Sequence, residues 1–365
     1  MKKRIITSVI ALTLLATMPA WGQTQVIKRG NAQQRANVGA GPRWRYVENF
    51  HDGLARVRGM NDKYGFVDKS GTLVVPCKWE DADDFSDGLA RVRNNKKKYG
   101  FIDKTGEVVI PCELDYHDGL GVRDFSDGLA CVKGSIYEGF IDKSGKLVIP
   151  YKWNYPWSFS EGLCYAKGVG FINKTGEVVI PNKWHDSSGF HEGLAMVEDG
   201  KKWKKGYIDK TGKLVIPCKW AWTFKFCEGL AAVRDSCGKY GYIDKAGAVV
   251  IPCIWKNASD FSEGLAVVTD DSSKRHVIDK SGTVVFSYSQ KWNQYINISF
   301  SEGLARVWGE NEKGGYIDKT GKVVIPFKWT AGTAFSDGIA IVEDNSGYYI
   351  INKQGEILKS KIDRQ

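Results

Sequence analysis

The strongest constraint on this chain is that one short unit is written nine times. A Phe-x-[Asp/Glu]-Gly-[Leu/Ile] block begins at Phe50, Phe85, Phe125, Phe159, Phe190, Phe226, Phe261, Phe300 and Phe335, at spacings of 35, 40, 34, 31, 36, 35, 39 and 35 residues. A second block follows in each unit, clearest at Tyr99-Gly100-Phe101-Ile102-Asp103-Lys104-Thr105-Gly106, then a third, as in Glu107-Val108-Val109-Ile110-Pro111. An aromatic stands three residues after the Pro at Trp79, Trp153, Trp184, Trp220, Trp255 and Trp329. A unit of this size cannot bury a core alone, so neighbours must share one. The recurring Phe, Leu, Ile/Val and Trp are the expected shared core.

The blocks are β-forming: short runs of β-branched and aromatic residues separated by turn signals. Asp-Lys-[Ser/Thr/Ala]-Gly recurs at 68–71, 103–106, 142–145, 209–212, 244–247, 279–282 and 318–321, with Asn173 and Asn352 replacing the Asp in two units. The pattern predicts a type I turn closed by a glycine at φ > 0, and the swap to Asn marks the Asp as a turn former. Pro76, Pro111, Pro150, Pro181, Pro217, Pro252 and Pro326 close the third strand of each unit, since Pro offers no N–H to a ladder. The tips between the first two strands vary in length and charge. The expected fold is all-β: a tandem array of nine hairpin-based, three-stranded repeats, with a possible fourth strand around the Lys-Trp dipeptide. An open solenoid or superhelix is favoured over a closed propeller-like ring, because nine exceeds the roughly four to eight blades usual for propellers.

The motif Phe-Ser-[Asp/Glu]-Gly-Leu-Ala-x-Val, followed by Gly-[Phe/Tyr]-Ile-Asp-Lys-[Thr/Ser]-Gly-x-[Val/Leu]-Val-Ile-Pro, resembles the bacterial WG-repeat (KWG) proteins from Phe50 to near Leu358. The seventh unit departs, with His276-Val277 for the Gly-aromatic pair and Phe286-Ser287 for Ile-Pro. The ninth has Tyr349-Ile350 and no closing Pro. Tyr-Gly at 64–65, 99–100 and 240–241, and Lys205-Gly206, stand where the family often has Trp-Gly. The resemblance implies an exported bacterial interaction module.

The ends of the chain carry a separate signal. Lys2, Lys3 and Arg4 precede an apolar run from Ile5 to Met18, and Ala20-Trp21-Gly22 offers a cleavage site. Residues 1–22 therefore read as a secretory signal peptide, 23–43 as a flexible polar leader, 44–358 as the repeats and 359–365 as a tail. The protein is expected to be periplasmic, at the cell surface or extracellular, with no transmembrane helix in the mature chain. The 42% hydrophobic content and 13 Trp exclude a wholly disordered chain. With 52 Lys+Arg against 42 Asp+Glu, nucleic acid is a poor fit for an exported chain.

No catalytic residue, cofactor or metal set is assigned. His51, His117, His185, His191 and His276 form no ligand spacing, and no nucleophile or phosphate motif occurs. Cys77, Cys112, Cys218 and Cys253 share the slot after the Pro and are candidates for disulfides if that slot stacks between units, or else are free thiols. Cys131, Cys164, Cys227 and Cys237 complete the eight. The recurring Lys-Trp pairs, including Lys291-Trp292, read as core anchors. Trp157, Trp203, Trp222 and Trp308 break the repeat and are the better ligand candidates, together with the basic runs Lys96, Lys97, Lys98 and Lys201, Lys202, Lys204, Lys205. The leading expectation is a non-enzymatic exported scaffold that contacts a protein or envelope glycan through its hairpin tips. A structural envelope component and a hydrolase with a carboxylate pair drawn from different units are the alternatives.

Overall fold

The computed structural model describes residues 44–115, 121–288, 298–309 and 312–360. The signal-peptide and leader segments, His117, the Lys291-Trp292 pair and residues 361–365 lie outside them. Nine antiparallel sheets follow one another along the chain: blades 1 (46–79), 2 (81–114), 3 (129–153), 4 (163–181), 5 (186–220), 6 (222–255), 7 (257–288), 8 (300–329) and 9 (331–360). Seven have four strands and two have three. In blades 3 and 4 the first strand shrinks to the single bridges Val122↔Val132 and Pro156↔Ala166.

Blade 1 shows the plan: strands Tyr46–His51, Leu54–Arg58, Tyr64–Asp68 and Leu73–Trp79, each paired with the next. The count of nine holds, but the unit is four-stranded. The extra strand lies just before the Phe or runs through it, and the Lys-Trp dipeptide ends the fourth strand. The signal for it is the Asp-Gly dipeptide: Asp52 and Gly53 have φ of 53° and 88°. Two consecutive positive φ values make the two-residue turn that fits a twisted hairpin.

The predicted Asp-Lys-x-Gly turn is present. Asp68 Oδ1 accepts the Ser70 and Thr72 N–H groups at 2.8 and 2.9 Å, and Gly71 has φ 73°. Asn173 makes the same bonds to Thr175 and Glu177 at 3.0 and 2.9 Å.

The Gly of the Tyr-Gly pair answers to the Pro on the neighbouring strand. Tyr64 pairs with Trp79 but Phe66 pairs with Val75, so the fourth strand bulges across Pro76. A Cβ on Gly65 would lie 2.4 Å from the Val75 carbonyl oxygen. Blade 7 lacks both residues, and its ladder runs without a break through Arg275↔Tyr288, His276↔Ser287 and Val277↔Phe286.

The core lies between blades. The third-strand aromatic of one blade meets the Phe of the next edge-on: Phe66–Phe85, Phe101–Phe125 and Tyr242–Phe261 each have centroids 4.8 Å apart. Burying such a ring is worth about 1.5–3 kcal/mol, and edge-to-face contact adds to it. Trp79, Trp153, Trp220 and Trp329 are 7%, 5%, 6% and 3% exposed, in keeping with core anchors, and a lysine lies over each ring at 4.6–5.0 Å.

There are nine such inter-blade clusters. The ninth joins Phe50, Ala55, Val57 and Val67 of blade 1 to Ile341, Tyr348 and Ile350 of blade 9. Nine units with nine shared interfaces form a closed ring. The open-array expectation is therefore overturned, and the protein is a nine-bladed β-propeller. Among the described residues no blade borrows a strand from across the seam.

Candidate functional site

The two faces of the ring differ in kind. On one face lie the Asp/Glu-Gly turns and the Asp-Lys-x-Gly turns, and there the repeated polar groups are spent on each other. Each turn acid reaches forward to the next blade. Asp52 accepts the Gly88 N–H at 2.9 Å, Glu228 that of Gly264 at 2.8 Å and Glu302 that of Gly338 at 2.8 Å. At eight of the nine junctions the lysine of the next blade's turn pairs with the turn acid. Lys143–Asp87 and Lys174–Asp127 lie at 2.9 and 2.8 Å, and Lys280–Glu228 and Lys353–Glu302 at 3.1 Å. Partial burial raises these carboxyls, but the lysine and glycine donors outweigh it and hold Asp127, Glu161, Glu192, Glu228, Glu263 and Glu302 below the ordinary range. Most of the serines that directly precede these acids also bond forward: the Ser86, Ser126 and Ser160 hydroxyls donate to Phe125, Phe159 and Phe190 carbonyls at 2.6–2.7 Å. This face is a clasp.

The opposite face carries the tips between second and third strands and, beside them, the starts of the first strands, as the pairs Tyr46↔Arg58 and Trp222↔Arg234 require. Large apolar groups stand out there: Met60, Ile136, Tyr137, Tyr155 and Trp203 are 43–71% exposed, and Tyr46, Trp157 and Trp222 about half exposed. The remaining exposed apolar residues are chiefly the Val and Leu pairs on the fourth strands, at the sheet edges.

The sequence candidates fall into separate places. Lys96, Lys97 and Lys98 form the tip of blade 2, where Asn94 Oδ1 accepts the Lys96 and Lys98 N–H groups at 2.9 and 3.0 Å and the Lys98 ammonium pairs with Asp115. Trp157 is exposed on blade 4. Trp308, on blade 8, is half-buried under the Arg306 guanidinium at 4.4 Å. The structure brings together only the blade 5–6 set. Lys201, Lys202 and Trp203 are exposed at one tip, and Trp222 opens the next blade.

Lys205 departs from its expected role. It is 6% exposed, sits in the slot that Tyr64, Tyr99 and Tyr240 fill elsewhere, pairs with Glu198 and lies 4.7 Å over the Trp222 ring. Sequence reasoning missed two members of this cluster. His185 Nδ1 lies 3.1 Å from Glu198 and its ring meets Trp203 edge-on at 4.5 Å. Glu198 is held below the carboxylate range chiefly by the Lys205 hydrogen bond. The departure from Tyr to Lys205 was the available signal.

The first strands converge on the inner side of the ring, where three successive blades meet. Arg56 of blade 1 reaches Asp84 at 3.5 Å and Arg91 of blade 2 reaches Asp124 at 3.5 Å. Burial, and next the charge of Asp83, push Asp124 up to about 6 against the pull of Arg91. Among the described residues, cavities of about 210 and 300 Å³ beside blade 7 share Asp260 as their one lining carboxylate. Among the described residues no group of three His, Cys, Asp or Glu side chains is arranged to hold a metal ion.

All eight cysteines are free thiols. At the slot after the Pro, Cys77, Cys112, Cys218 and Cys253 pack into four different inter-blade clusters. Burial raises each thiol, Cys77 to about 11.

A family profile described as a WG-containing repeat matches residues 37–64, 64–97, 99–133, 139–167, 170–203, 206–236, 240–272 and 315–348. No curated protein matches the sequence. Among solved structures, a eukaryotic initiation factor matches at 14% identity and a TM-score of 0.55, over 88% of this chain and 95% of that one. BamB from Moraxella catarrhalis matches at 10% identity and a TM-score of 0.42, over 85% and 97%. At such identity the first likeness speaks to fold alone. Among the described residues no helix is long and apolar enough to cross a membrane.

Proposed function

The chain belongs to the WG-containing repeat family, and on that premise we propose that it is an exported, non-enzymatic binding scaffold that holds a protein or an envelope glycan on its tip face. The observation that supports this is the division of labour between faces. The polar residues that recur in every unit are consumed by turns and by the clasp, while the positions free to vary place Met60, Ile136, Tyr137, Trp203 and Trp222 in solvent on one side. Exposed large side chains gathered on one face mark an interaction surface. Export rests on the pattern of residues 1–22.

A photo-crosslinking residue at position 60 or 203, compared with one at Lys210 on the clasp face, tests the reading in cell-envelope extract. Adducts from the tip face alone are expected, and equal labelling from both faces, or none, would overturn it. N-terminal sequencing of the mature protein, expected to begin at Gln23, tests export.

A further inference from the structure

We propose that the strip joining the tip of blade 5 to the first strand of blade 6 binds a sugar chain that carries carboxylates, with Trp203 and Trp222 as stacking platforms and Lys201, Lys202 and Lys204 as the cations that select it. The proposal rests on the scaffold reading and names the ligand class of one part of that face.

Two indoles stand out of the surface here, 59% and 48% exposed. Each indole has a polar neighbour against its ring. His185 meets Trp203 edge-on at 4.5 Å, and the Lys205 ammonium sits 4.7 Å over the face of Trp222. His185 and Lys205 are themselves fixed by opposite sides of one carboxylate, Glu198. One acid thus orients both aromatic groups, and a prepared surface loses less entropy on binding. A pyranose ring presents a flat C–H face that suits a fixed indole, with hydroxyls around its rim. Among the described residues the pairing of a lysine with a tryptophan in these two slots is not repeated: in the Lys205 slot blades 1, 2 and 6 carry tyrosine, and in the Trp222 slot blades 1, 2 and 7 carry Tyr46, Asp81 and Asn257.

Charge selects the class of sugar. Lys205 is neutralised by Glu198 and adds nothing. Lys201 and Lys202 are fully on the surface and Lys204 half so. The one acid within the tip, Asp199, turns inward to accept the Lys201 N–H at 2.7 Å. Three cations against one anion leave the strip positive, which favours an anionic partner and makes binding fall with salt. An acidic peptide would satisfy the lysines but offers no flat apolar face to two indoles, so the combination favours uronate-type sugars.

The test uses the mature protein and three probes: an oligogalacturonate, its neutral methyl ester, and poly-glutamate, read by titration calorimetry and tryptophan fluorescence. The oligogalacturonate should bind and quench fluorescence. The ester should bind at least about tenfold more weakly, and Trp203→Ala and Trp222→Ala should each cost about tenfold or more. A triple Lys→Ala variant at 201, 202 and 204 should weaken acidic-sugar binding and flatten its salt dependence while leaving ester binding unchanged. Circular dichroism confirms that each variant folds, and Trp157→Ala, on another blade, serves as the control. Equal affinity for poly-glutamate, indifference to the two Trp substitutions, or no binding of any probe overturns the assignment. The scaffold reading falls only if the tip-face crosslinking also fails.

Discussion

Lys69 of blade 1 pairs with Asp337 of blade 9, 268 residues away in sequence. The same lysine slot meets the same acid slot at seven other junctions, from Lys143–Asp87 to Lys353–Glu302. The seam is completed by the Ala334 N–H donating to Asn49 Oδ1 at 2.8 Å and by the Lys359 ammonium donating to the Ser70 carbonyl at 3.0 Å.

Removing one clasp should loosen one junction. Glu228→Gln keeps an acceptor for the Gly264 N–H but loses the charge facing Lys280, and should cost about 1 kcal/mol, read as a lowered Tm. Lys69→Met should show a similar loss at the seam. No change in Tm for either would mean that packing alone closes the ring.

Two sets of carboxyls predict opposite pH responses. The clasp acids are depressed in the folded state, so their stabilisation is present above the unfolded carboxylate range and is lost as pH falls through it, below about 4. Asp124 is raised to about 6, so the native state gains stability as pH falls from about 6 toward 4, where it binds a proton the unfolded chain does not. Asp124→Asn should therefore raise Tm at pH 8 and have little effect at pH 4. An equal shift at both pH values would contradict the assignment.

The Gly–Pro coupling predicts unequal costs at equivalent positions. A Cβ on Gly241 would meet the Ile251 carbonyl at 2.4 Å and the Cys253 nitrogen at 2.7 Å. Gly241→Ala should cost about 2 kcal/mol or more. His276→Ala, in the blade that lost both residues, should cost about 1 kcal/mol through its bonds to Asp270 and Ser287. Chemical denaturation of the two variants checks the order, and equal losses would dissolve the coupling.

Tryptophans of the two kinds should separate cleanly. Trp220→Ala empties an inter-blade cluster and should cost about 3–5 kcal/mol. Trp203→Ala, at an exposed tip, should change stability by no more than about 0.5 kcal/mol. Comparable losses would mean that Trp203 is part of the core.

The repeat, its shared core and its turns were legible because they depend on local chemistry: Asp68 and Gly71 dictate a turn wherever they stand. The first strand was legible in principle, since Asp52-Gly53 is a hairpin signal, but its two to six residues are too short and polar to register as a strand. Closure was not legible. It depends on the angle between neighbours, which Phe66 and Phe85 set through edge-on packing that no local pattern records. The tip candidates were half legible. Trp203 and Trp222 stood out as breaks in the repeat, whereas Glu198 and His185 gain meaning only once the strands of blade 5 pair and set them beside Lys205 and Trp203, and Lys205 meets Trp222 only when blade 6 packs alongside.

Because every described blade is a contiguous run of chain and no described strand pair crosses the seam, the ring has no privileged starting point. Cutting the link between Trp153 and Tyr155 would sever no hydrogen-bonded strand pair, and a circular permutant opened there should keep all nine blades intact. A propeller of this kind can be cut and spliced as a cycle of interchangeable segments, with its tip-face residues carried along unchanged.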